Sequence, residues 1–226
     1  MKVLYEDNHI IVINKAAGEI VQGDKSGDEC LCDTLKRYLK EKYNKPGNVF
    51  IGLPHRLDRP VSGIVIFAKT SKALERLNAM FRNNSVKKIY WAITKERPAR
   101  SETQLSHWIL RNEKQNKSYA YNKEVKESKQ ATLTYRHIAA SQNYNLLEVE
   151  LKTGRHHQIR CQLSAIGCPI KGDLKYGAKR SNPDGSISLH ARRVEFIHPV
   201  SKETINITAP VPNDALWRSF EENSTL

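Results

Sequence analysis

Two stretches of the chain are apolar without interruption: Ile10-Ile11-Val12-Ile13, and Ile64 to Ala68. Runs this short and this rich in β-branched residues predict strands covered on both faces. The first ends in the turn Lys15-Ala16-Ala17-Gly18. Between the two runs the period changes. Leu31, Leu35, Tyr38 and Leu39 share one face, with lysines on the other, which predicts a helix from about 31 to 43. Ser71 stands where an N-cap would open a second helix, running to about Phe81 and burying Leu74, Leu77, Met80 and Phe81. Strands are predicted at Ile89–Thr94, Ala131–Ile138 and Leu146–Leu151; in the last, Leu147, Val149 and Leu151 alternate with Glu148, Glu150 and Lys152. Residues 111–129 are polar, with lysines and Arg111 interleaved with Tyr119 and Tyr121, and read as loop or hairpin surface, or as a contact for a phosphate backbone. Short strands follow at Ile187–His190, Val194–His198 and Thr204–Thr208, and Asn213 is placed to cap a last helix carrying Leu216, Trp217 and Phe220. The pattern is mixed α/β with many nonlocal strand pairings.

Composition narrows what such a fold can be for. The chain has 226 residues, enough for one large domain or two subdomains sharing a core. Its 39% hydrophobic and 27% charged residues suit a packed, soluble protein. Neither apolar run is long enough to cross a bilayer, and the acids of Met1-Lys2-Val3-Leu4-Tyr5-Glu6-Asp7 stand where a signal peptide needs apolar residues. A cytoplasmic location with no membrane partner is the expectation. Lysine and arginine total 37 against 24 acids, a formal charge of +13, which attracts polyanions such as nucleic acid. Cys30, Cys32, Cys161 and Cys168 have neither a disulfide scaffold's density nor zinc spacing, and read as small apolar residues.

Candidate chemistry concentrates in His55-Arg56-Leu57-Asp58-Arg59-Pro60-Val61-Ser62-Gly63, just ahead of the second apolar run. Nearby cations favour the ionised carboxylate, and an aspartate fixed on a turn at a strand mouth can act as nucleophile or base. An ion pair closing a surface turn is the other reading. A second cluster, Thr153-Gly154-Arg155-His156-His157-Gln158-Ile159-Arg160, looks like a cationic strand-to-helix junction, with Leu163 and Ile166 at helical spacing and Gly167 placed to stop the helix. Such a junction could hold an RNA phosphate or pair with Asp58. His156 and His157 are adjacent and share no helix face, so they are not a metal pair. Gly167-Cys168-Pro169-Ile170-Lys171-Gly172-Asp173 with Tyr176-Gly177 reads as a tight loop whose backbone can approach a ligand or simply turn. Tyr90, in Lys88-Ile89-Tyr90-Trp91-Ala92, is either a core aromatic or a base-stacking one. Lys15-Ala16-Ala17-Gly18 lacks the ending of a nucleotide-binding P-loop.

In order along the chain, these pieces resemble the pseudouridine synthases of the RluA family. The likeness rests on Lys15 to Gly18, His55-Arg56-Leu57-Asp58 with Ser62-Gly63, Lys88 with Tyr90, and Gly154-Arg155-x-His157-Gln158-Ile159-Arg160. It continues through Gly167 to Asp173 with Tyr176-Gly177, then Leu189-His190-Ala191 and Phe196-x-His198-Pro199. Ala16 replaces a usual proline and Val61 a common threonine; neither change removes a reacting group. The resemblance implies a mixed, largely antiparallel sheet flanked by helices and loops, as a single catalytic domain over 1–226 without the S4-type domain of many relatives. It implies an isomerase that turns uridine in ribosomal or transfer RNA stem-loops into pseudouridine, without metal or cofactor. Asp58 would cleave the N1–C1′ bond, Tyr90 would stack on the target base, and Arg160 would pair with the aspartate. Arg56 would enter the RNA helix where the uridine was, and Ile159 would pack near the base. His55, Arg155, His157, Gln158 and Lys88 complete the expected RNA-binding set. A monomer is the simplest expectation.

Overall fold

The structure, a computed structural model, describes residues 1–23 and 27–224. Along the chain come β1 (Lys2–Glu6), β2 (Ile10–Lys15), α1 (Leu31–Lys42), β3 (Ser62–Ala68), α2 (Ser71–Arg82), β4 (Lys87–Thr94) and β5 (Glu102–Asn112). Next are β6 (Lys117–Tyr121), β7 (Lys129–Ala140), β8 (Asn145–Leu151), α3 (Gln158–Ala165) and a 3-10 turn (Leu174–Tyr176). The chain closes with β9 (Leu189–Ile197), β10 (Thr204–Thr208) and α4 (Ala215–Asn223). Two compact units result: Met1–Val86 with Arg193–Pro210, and Lys87–Arg192 with the stretch from Val211.

In the first unit the two apolar runs pair with each other. Strand β2 lies antiparallel between β1 and β3, in a register running from Ile10↔Ala68 to Lys15↔Gly63. Ile10–Ile13 and Ile64–Ala68 are almost wholly removed from solvent. That burial is why these strands do not alternate. The register sets the end of β2 beside the entry to β3, so the Lys15 turn meets the segment carrying Asp58. Helix α1 buries Leu31, Leu35 and Leu39. Helix α2 packs on β3, with Ala73 and Leu77 fully inside and Leu74, Met80 and Phe81 half-buried. Strand β10 pairs antiparallel with the end of β9.

The second unit is built on the antiparallel order β4-β8-β7-β5-β6. Tyr90 of β4 faces Val149 of β8 across the ladder. Trp91, Ile93 and Leu146 pack with Trp217 and Phe220 of α4. Ile109, Ala131, Cys161 and Tyr176 form a second cluster. Cys30 and Cys168 are buried as well, in keeping with their apolar reading.

Several expectations shift. Helix α2 is capped by Thr70, not Ser71: the Thr70 hydroxyl accepts from the Ala73 N–H at 3.2 Å. Helix α4 is capped by Asp214, not Asn213, its carboxylate accepting from the Leu216 and Trp217 N–H groups. In both cases the capping residue is extended, as a cap requires, and the neighbour has an equally suitable side chain. The two short strands at 187–198 are one strand, β9. The polar run holds the β5–β6 hairpin, and β1 and β5 form where the sequence pattern predicts no strand. On β5 the inward positions are Leu105, His107 and Ile109, so a polar residue interrupts the apolar face. The Gln162 amide, 2.9 Å away, satisfies the His107 Nδ1.

Candidate active site

In the first unit the Asp58 segment is a tied-down turn. The Val61 N–H donates to the Asp58 carbonyl at 3.0 Å, and the Gly18 N–H to the Arg59 carbonyl at 2.8 Å. Lys15, only 1% exposed, donates from Nζ to the carbonyls of Ala16 (2.9 Å), Arg59 (3.1 Å) and Val61 (2.6 Å). An ammonium buried at the end of an apolar strand thus ties the backbone just after Asp58 to the Lys15–Gly18 turn. Burial pushes Lys15 down to about 8, opposed by the charges of Glu19 and Asp58 and helped by Arg59. Asp58 is half-buried and Arg56 exposed. Arg59 reaches Asp28 at 2.9 Å, so one of the two flanking arginines is engaged on a different carboxylate. His55 is stacked on Phe81, with ring centroids 4.4 Å apart, and its Nε2 accepts from the Ile66 N–H at 2.9 Å. With Nε2 accepting, the neutral ring carries its proton on Nδ1, and the bond ties the segment to β3. In sequence, Lys15 stands within a motif with no role of its own. The available signal was a lysine closing an otherwise apolar strand.

In the second unit the start of α3 gathers Arg155, His157, Gln158, Ile159 and Arg160. His157 takes the left-handed conformation, φ 52°, as the helix opens. Gln158 braces the junction: its Oε1 accepts from the Arg155 N–H and the Thr153 hydroxyl, and its Nε2 donates to the Thr132 carbonyl. Arg155 donates from Nε to the Gln130 carbonyl. His157 Nδ1 lies 2.8 Å from the Tyr176 hydroxyl, which also accepts from the Ser118 N–H. Arg160, 5% exposed, is gripped by buried Asp173 through Nε at 2.7 Å and Nη2 at 2.9 Å. Its guanidinium lies 5.0 Å from the centre of the Tyr176 ring. A two-point fork fixes the plane of the cation as well as its place. Burial raises the Tyr176 hydroxyl's pKa, so Tyr176 stays neutral and keeps its donor. Lys88 and Tyr90 lie on β4, both largely buried, and burial lowers the Lys88 pKa. Asp173 and Tyr176 were visible only as parts of a glycine-rich loop; their service to Arg160 and His157 needed the fold. Among the described residues no cluster of three or more His, Cys, Asp or Glu is arranged for a metal.

Residues 9–165 match the family model described as RNA pseudouridylate synthase. Ribosomal large subunit pseudouridine synthase D of Zymomonas mobilis is 30% identical over 224 residues, covering 95% of this chain and 70% of that protein. tRNA pseudouridine synthase C of Vibrio cholerae is 30% identical over 242 residues, covering 97% and 94%. Several curated relatives are longer, and the chain spans 66% to 70% of their length. The solved structure of Human RNA Pseudouridylate Synthase Domain Containing 4 superposes with a TM-score of 0.80 at 24% identity, over 99% of this chain and 93% of that one, a likeness of fold. With the family model matched over residues 9–165 and relatives of 30% identity along almost the whole chain, the chain belongs to the RNA pseudouridylate synthase family, among the RluA-type isomerases of uridine in RNA.

Proposed function

We propose that this chain isomerises uridine to pseudouridine in a ribosomal or transfer RNA stem-loop, with Asp58 as the reacting carboxylate. The observation that carries the reading is the Asp58 turn, half-buried, with the backbone that follows Asp58 clamped at Arg59 and Val61 by buried Lys15. A surface ion pair would need no buried ammonium to hold its backbone.

The reaction is an isomerisation. The N1–C1′ bond breaks, uracil turns, a C5–C1′ bond forms, C5 gives up its proton and N1 gains one. Atoms balance within the nucleotide. Asp58 serves by attack on sugar or base or by taking a proton. Tyr90 is the proposed stacking partner of the base and Ile159 its apolar neighbour. Arg160, oriented by Asp173, is the proposed cation for the Asp58 carboxylate. Exposed Arg56 is proposed to fill the gap left by the extruded uridine, offsetting part of an unstacking cost of a few kcal/mol, roughly. His157, Gln158 and Arg155 shape the α3 start, His55 holds the turn to β3, and Lys88 lends positive charge near Tyr90. The two compact units acting as one catalytic domain, a monomeric state and a cytoplasmic location belong to the same proposal. The two RNA classes are those of the ribosomal and transfer RNA synthases that the chain resembles.

RNA tritiated at uracil C5 releases label when the new bond forms. Asp58→Asn should abolish release while RNA affinity stays within severalfold; retained turnover refutes the assignment. Arg160→Ala should lose more turnover than binding. Equal losses would make Arg160 a phosphate contact only.

A further inference from the structure

The second unit has a cleft of about 440 Å³ that the isomerisation does not use. Its charged lining is four cations, Lys95, Lys171, Lys179 and Arg180, against a single acid, Glu96; Tyr144 lines it as well. The site is built, not merely charged. Lys171 donates to the Asn182 side-chain oxygen at 2.6 Å, and the Asn182 amide donates in turn to the hydroxyls of Ser186 and Ser188. Asn182 is buried, so its three bonds fix where Lys171 stands. The Lys171 ammonium sits 5.7 Å from the centre of the Tyr144 ring. That ring packs against the Trp91–Trp217 cluster and remains half-exposed. Gly172 permits the close packing beneath: at φ +88° an added Cβ would meet the Ser186 carbonyl at 2.7 Å and Asn182 at 2.8 Å.

We propose that this cleft binds one nucleotide unit of RNA, a backbone phosphate on the cations and its base on Tyr144, outside the target uridine. The proposal rests on RNA being the substrate. A cleft of this size accommodates a nucleotide, and a cationic groove beside an anchored aromatic is how proteins hold single-stranded RNA without reading its sequence. Its place on the fold separates it from the reacting base. Lys95 follows Tyr90 by five residues along and just past β4, about 17 Å at the usual strand rise. The loop that supplies Lys171 and Gly172 continues into Asp173, the partner of Arg160. RNA held in the cleft would therefore steady the segment that orients that guanidinium.

The test measures binding apart from chemistry, in Asp58→Asn protein, with in vitro transcribed tRNA and large-subunit rRNA. Adding Lys179→Glu and Arg180→Glu should weaken binding of at least one of the two RNAs about 10-fold and lower the salt slope by about 1.4, for two lost single-strand phosphate contacts. Lys36→Glu with Lys40→Glu on α1 makes the same charge change elsewhere and should weaken it much less. Equal losses from the two pairs, or none from the cleft pair, overturn the proposal. In 4-thiouridine-substituted RNA, photocrosslinks should fall on the peptide containing Tyr144; none there overturns the stacking half. Uridine monophosphate should bind the cleft only at millimolar levels; a much tighter site, abolished by the cleft pair without loss of RNA affinity, would make it a free-nucleotide site and overturn the RNA reading. At saturating RNA the cleft variant with Asp58 intact should still release tritium, whereas Asp58→Asn should release none, so failure of the cleft and failure of the Asp58 assignment remain distinguishable.

Discussion

A lysine ammonium carries three N–H donors, and Lys15 has three carbonyls to receive them, those of Ala16, Arg59 and Val61. A neutral amine has two. Burial pushes the Lys15 pKa to about 8, below its ordinary 10.5, so in the folded protein the third donor is lost as pH rises through about 8. The sign for stability is opposite. Between about 8 and 10.5 the unfolded chain binds more protons, so this group makes folding more favourable as pH rises. Turnover and thermal stability should therefore part company: tritium release falls above about pH 8 while the melting temperature takes no loss from Lys15. Lys15→Met should lower kcat about 100-fold, the scale of an ångström's displacement at a reacting group, and flatten that alkaline limb. A kcat within severalfold of wild type would show the turn standing without its clamp. Sequence singles out Asp58, Tyr90 and Arg160 as candidates because each stands in a literal motif. Lys15 and Asp173 could not be assigned roles, because a buried lysine and a loop aspartate acquire them only from the carbonyls and guanidinium that folding brings to them.

At the level of elements, the long apolar runs and the amphipathic helices were legible. Strands β2 and β3, α1 and α2 fall where period and run length put them. What failed was local choice between chemically equivalent neighbours. Thr70 and Ser71 can both cap, as can Asn213 and Asp214; the backbone angle at each position decides, and it depends on how the helix docks. Thr70→Ala and Asp214→Ala should each cost about 1 kcal/mol in urea unfolding. Ser71→Ala and Asn213→Ala should stay within about 0.5 kcal/mol, as exposed substitutions do. The reverse ranking would restore the sequence-based caps. Strand β5 lacks a strand pattern for a different reason: His107 on its inner face breaks the alternation, and Gln162 of α3, far along the chain, makes that burial tolerable.

For the whole molecule, the 13-charge excess of cations over acids makes RNA affinity a salt-dependent quantity. Each phosphate contact contributes about 0.7 to 0.9 to the slope of log affinity against log salt. Filter binding across a salt series should fall steeply and linearly on those axes for tRNA and rRNA alike; a flat response would remove charge from the account of binding. Charge and composition are sums over residues, so the sequence alone determined them. So did every feature carried by neighbours in the chain: the buried strands, the amphipathic faces and the ordered motifs of the family. Tertiary structure alone decided which backbone carbonyls meet Lys15, which carboxylate grips Arg160, and that four cations from two loops line one cleft with Tyr144. Those are contacts between residues far apart in sequence, and no local period records them; the energy that selects them is packing and desolvation, which exist only once the chain is folded.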